Sequence, residues 1–68
     1  MTPIKDFLLY GSKLYQRDWD DNLTFVAVFS DPDTARWASE CLTSFHHKQL
    51  RVLLNEPKLQ PIFITEEQ

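Results

Sequence analysis

The sequence predicts a small α+β domain: an antiparallel sheet in the order β-β-β-α-β-β, with one amphipathic helix packed on one face. Three observations carry this. An apolar run, Leu23-Thr24-Phe25-Val26-Ala27-Val28-Phe29, stops at Ser30-Asp31-Pro32-Asp33, and an amphipathic run to Phe45 follows at once. The only glycine, Gly11, separates two short runs of strand-forming residues. Pro57 and Pro61 divide the remaining apolar residues into two further short runs.

Two patterns compete in the first sixteen residues. Thr2-Pro3 resembles a helix start, and Ile4, Phe7, Leu8, Gly11, Leu14 and Tyr15 fit helical spacing. Leu9-Tyr10-Gly11-Ser12-Lys13-Leu14 also fits two strands around a tight turn, with glycine where φ must be positive. Glycine inside a helix costs about 1 kcal/mol against alanine, so the hairpin is the preferred reading. The run 23–29 reads as a central strand. It is apolar on both faces and rich in β-branched and aromatic side chains.

The helix is predicted from Pro32 to about His47. Ser30 or Asp31 can cap it, because a side-chain oxygen there accepts from free N–H groups of the first turn. Pro32 has no N–H to leave unsatisfied at the first helical position, and Asp33 suits the positive end of the helix dipole. At about 100° per residue, Ala35, Ala38, Cys41, Leu42 and Phe45 share one face, which is expected to be the buried one. Trp37 lies at its margin, and Arg36, Ser39, Glu40 and Thr43 lie opposite. A strand over Leu50–Leu54 follows, although Leu50, Leu53 and Leu54 would also suit a helix. Asn55-Glu56-Pro57-Lys58 is a turn. A last strand, Ile62-Phe63-Ile64-Thr65, begins after Pro61.

Composition narrows the function. The chain has 68 residues, a length that implies one domain (residues 1–68). Domains this small bury a modest fraction of their surface and commonly need disulfides, metal or association. Cys41 is the only cysteine, so no intrachain disulfide exists. With a net charge of −3, the chain lacks the basic footprint of a nucleic-acid binder. No apolar run reaches the ~20 residues of a membrane span, and the N-terminus does not read as a signal peptide. The expected location is cytoplasmic, with which the single cysteine agrees.

The clusters that might carry chemistry fall short of a motif. Asp18, Asp20 and Asn22 match the start of a calcium loop, D-x-D-x-[DN]. Leu23 then stands where that loop needs glycine, and Phe29 where it needs glutamate. A solvated turn between strands two and three is the simpler reading, with an acidic docking patch as the other use. His46 and His47 point about 100° apart on a helix and cannot easily grip one metal. They suit the negative end of the helix dipole instead. Cys41 lacks the helix N-terminus or cationic neighbour of a reactive thiol, and a lone Gly11 cannot cradle phosphate. The expectation is therefore no enzyme, no metal and no cofactor.

An aromatic surplus remains. Trp, Tyr and Arg dominate protein–protein hot spots, and Lys13, Tyr15, Arg17 and Trp19 alternate as a basic and aromatic row along strand two. The candidate partner-binding residues are Tyr15, Arg17, Trp19, Asp20 and Phe63. The expected function is a non-catalytic interaction protein that self-associates, most simply as a dimer, and binds a protein partner. The segment Leu59 to Thr65 is the expected seam. The alternative is an oligomer that binds a small nucleotide-type ligand between subunits, with Arg17, Arg36, Arg51 and the histidines as phosphate contacts. The strand end Ala27-Val28-Phe29 running into Asp31-Pro32-Asp33-Thr34-Ala35 looks like that of many short bacterial and phage proteins. The chain is similar in type to accessory inhibitors from mobile elements, which block a host protein by binding it.

Overall fold

The computed structural model describes residues 3–59. Strand β1 (Ile4–Tyr10) and strand β2 (Lys13–Asp18) pair antiparallel around Gly11 and Ser12. Gly11 has φ +58° and Ser12 is not in the positive region, as in a type II′ turn, whose twist matches the strands it joins. The hairpin reading of these residues holds, and the glycine is its cause.

The next turn is built by Asp18. Its Oδ1 accepts from the backbone N–H of Asp20 at 2.9 Å and of Asn22 at 3.0 Å, while Asp21 takes φ +64°. Asp18 thus holds the chain's reversal into strand β3 (Leu23–Val28), which pairs antiparallel with β2. The acidic cluster is a turn between strands two and three, as its composition suggested.

Helix α1 (Pro32–His46) begins at Asp31. Asp31 Oδ1 accepts from the Thr34 N–H at 2.8 Å, and Oδ2 from the Thr34 hydroxyl at 3.0 Å. The helix ends on His47 in the left-handed region, at φ +56°. The His47 N–H then donates to Ser44 O at 3.2 Å and the Lys48 N–H to Thr43 O at 2.9 Å. This is a Schellman termination with histidine in the place glycine usually takes.

Strand β4 (Gln49–Val52) pairs with β1, in parallel, with Asp6 opposite Gln49 and Leu9 opposite Val52. The α+β class is as predicted, with the helix on one face, but the sheet, in the order β3-β2-β1-β4, is mixed and not antiparallel throughout as expected. The parallel pairing follows from topology. β3 runs in the direction of β1, and a strand reached through a helical crossover emerges in the direction of the strand it left. The expected last strand, Ile62–Thr65, lies outside the described residues.

Two further expectations are overturned. β3 is an edge strand, not the centre, and Phe25, Val26 and Val28 are exposed. The covered strand is β1, where Asp6, Phe7, Leu8 and Leu9 are buried in succession. Apolar residues on both faces show what a strand can bury, not what lies beside it. The helix is also rotated from the expected face. Ala35, Ser39 and Thr43 are buried, Cys41 is exposed, and Phe45 is 79% exposed. The sheet supplies the bulk of the core through Phe7, Leu9 and Leu14. Small side chains every fourth residue let the helix come close to that surface, and Phe45 has no room there. Ile4, Phe29, Leu42 and Leu50 close the rim of this core. The Ser39 hydroxyl is buried and has no hydrogen-bond partner among the described residues.

Candidate functional site

The sheet face away from the helix carries the polar architecture. Registers place Arg51, Leu8, Tyr15 and Phe25 in one cross-strand row, and Gln49, Asp6, Arg17 and Leu23 in the next. After β4 the chain turns back over this face. The Leu53 N–H donates to Leu9 O at 2.7 Å. Glu56 then accepts from the Tyr15 hydroxyl and from Lys13 Nζ, the latter at 3.3 Å. Residues 53–59 thus form a strap tied down at Glu56, which lies over Tyr15 and Leu8 on this face.

Asp6 is buried on the same face of the sheet. Arg17 grips it with two hydrogen bonds, Nε to Oδ1 at 3.0 Å and Nη2 to Oδ2 at 2.6 Å. This fork geometry is the strong, directional form of an ion pair. The hydrogen bond to Asp6 raises the Arg17 pKa further, against the opposing effect of burial. Arg51 approaches the same carboxylate from β4, with Nε 3.9 Å from Oδ2. Between the sheet and the strap lies a cavity of about 420 Å³, whose apolar lining is Leu8, Leu23, Leu53 and Pro57 and whose polar lining is Arg17, Asp21, Arg51 and Asn55.

The strap's anchor is sensitive to alkali. The hydrogen bond to Glu56, followed by burial, pushes the Tyr15 pKa up to about 12. A raised value means that the protonated phenol is favoured by folding. Its contribution is complete below the ordinary 10.0 and is lost as pH rises toward about 12. Glu56 has the opposite sign. Its pKa is lowered, first by the Tyr15 hydroxyl and then by Lys13. Its contribution is present above 4.5 and is lost as pH falls through the lowered value. Ultraviolet titration of tyrosinate should show one step near pH 12 that coincides with loss of the folded signal and is missing in Tyr15→Phe. A Tyr15 step at the ordinary value would show that the anchor does not hold in solution.

The sequence-predicted residues separate. Tyr15 is buried at 2% exposure and engaged with Glu56 and the Phe25 ring, so it cannot belong to an open partner surface. Arg17 is occupied by Asp6. Trp19 is exposed, with Lys5 Nζ 5.3 Å from its ring centroid. Asp20 is exposed in the turn after β2. Phe63, and the expected seam beyond Leu59, lie outside the described residues. Sequence reasoning missed Asp6 and Glu56. A lone carboxylate inside the apolar strand Ile4–Tyr10 was the available signal, because a buried charge needs a partner.

A second surface lies on the outer side of α1. Trp37, Cys41 and Phe45 fall at successive fourth residues, and with Glu40 and Ser44 they border a shallow depression. Trp37 is 67% exposed. Among the described residues no group of three His, Cys, Asp or Glu side chains could hold a metal, and no helix is long and apolar enough to cross a membrane. No family model, curated protein or solved structure matches this chain.

Proposed function

We propose that this chain is a non-catalytic interaction protein that self-associates, most simply as a two-fold dimer, and binds a protein partner. The observation that carries the reading is the outer face of α1. A Trp and a Phe stand exposed on one stripe, eight residues apart, with Cys41 between them. Large aromatic side chains of this kind dominate the energetics of protein interfaces, and two-fold closure is the commonest way for a small domain to cover such a stripe. An exposed free thiol suits a reducing compartment, so we place the protein in the cytoplasm. Blocking a partner by occupying its surface, as inhibitors from mobile elements do, requires no chemistry beyond this stripe.

Light scattering across a concentration series tests self-association. The mass should rise above the 8.1 kDa of one chain. The double variant Trp37→Glu, Phe45→Glu should return it to one chain while circular dichroism keeps the parent's helix and strand content and the melting temperature falls to that of the dilute parent. A mass of one chain at every concentration would refute self-association. An unchanged dimer in the double variant would move the seam to another surface, with Trp19 and the exposed edge of β3 as the next candidates. Native mass spectrometry of protein purified from cells reads any retained protein partner at the same time.

A further inference from the structure

The cavity between strap and sheet has a composition that the interaction reading does not use. Its volume of about 420 Å³ falls in the ~300–1,000 Å³ range of small-molecule sites. Leu8, Leu23, Leu53 and Pro57 give it apolar walls. Such sites pair apolar walls with a few polar groups that fix orientation, and here those groups are the Arg17 and Arg51 guanidinium ions, the Asp21 carboxylate and the Asn55 amide.

The two arginines are not equivalent. Arg17 has both Nε and Nη2 committed to Asp6, and the pair is neutral together. Arg51 meets Asp6 only through Nε, at 3.9 Å, beyond hydrogen-bond distance. Its side chain makes no hydrogen bond to any described residue and is more than half exposed, so both terminal amino groups keep their donors. The one other charged group in the lining, Asp21, belongs to the β2–β3 turn. Strands β3 and β4 are opposite edges of the sheet, so Asp21 and Arg51 lie at opposite sides of the cavity. The charge left at the β4 side is a single cation presenting a planar fork of donors, which matches a carboxylate.

We propose that this cavity is a binding site for a small amphipathic carboxylate: one anionic head on a short apolar body. The head is held by Arg51. The body lies along Leu8 and Leu23 on the sheet, under Leu53 and Pro57 of the strap. The site is built within one chain and does not require the self-association proposed above.

Sodium octanoate is the probe, followed by amide chemical shifts in a two-dimensional nuclear magnetic resonance titration of the full chain. Acetate supplies the head without the body, and 1-octanol the body without the head. Octanoate should shift the amides of Leu8, Leu23, Arg51 and Leu53 in a saturable way, while acetate and octanol should each bind at least about tenfold more weakly. Arg51→Gln should weaken octanoate by about tenfold or more, and Phe45→Ser should leave it unchanged. If Arg51→Gln fails to fold, Leu53→Glu places a carboxylate at the strap wall and should abolish the shifts. Equal binding of octanol and octanoate, shifts centred on Trp37 and Phe45, or no saturable shift at millimolar octanoate would each overturn the proposal. None of these outcomes depends on oligomeric state, which the light-scattering series reads separately.

Discussion

Phe7→Ala should destabilise the protein by about 3–5 kcal/mol, the usual loss when a buried aromatic is truncated. Phe7 is 1% exposed, in the covered strand of the sheet. It belongs to the cluster, with Leu9, Leu14 and Ala35, that joins the sheet to the helix, and its ring centroid lies 5.8 Å from that of His46. Domains of this kind hold only about 5–15 kcal/mol in total, so the variant should be largely unfolded or close to it. Urea denaturation followed by circular dichroism checks this. The matched control is Phe45→Ala, measured where the parent is a single chain, which should stay within about 0.5 kcal/mol, as surface changes do. The comparison reads the rotation of the helix directly. If Phe45→Ala were the more damaging of the two, the helix would face the sheet through the residues that the sequence periodicity suggested.

Asp6→Ala should cost about 3 kcal/mol, the lower end of the loss expected when one partner of a buried ion pair is removed. The lower end applies because the Arg17 side chain is 20% exposed, against 8% for Asp6, so water can partly rescue the abandoned guanidinium. Most of the loss is the penalty on Arg17, not the worth of the pair. Replacing both partners by apolar residues of similar size, Asp6→Leu with Arg17→Met, should therefore recover most of the stability. A double-mutant cycle measured by thermal unfolding decides between the two accounts. Losses that simply add would show that Asp6 and Arg17 are not energetically coupled, and the fork seen between them would then be a surface contact of little consequence.

The sequence by itself determined the elements. Gly11 specified the first turn because it alone tolerates positive φ without strain. Asp31 and Pro32 specified the helix start because capping is satisfied within a few residues of chain. The helix bounds, the first two strands and the turn at Asp18–Asn22 all rest on such local chemistry. The tertiary structure decided which strand is covered, which helix face is inward and which charges meet. Those depend on residues far apart in the chain. The run 23–29 reads as a centre, yet it lies at an edge because β4 joins the sheet beside β1 and not beside β3. Phe45 has the spacing of a core residue, yet it is exposed because the sheet already fills the space with Phe7, Leu9 and Leu14. The candidate site was least legible of all. Asp6, Arg17 and Arg51 come from three strands, and Glu56 reaches Tyr15 across 41 residues of chain. No periodicity records such a meeting, because the partners are set by strand register and by the path of the strap, and both are settled only when the whole chain packs.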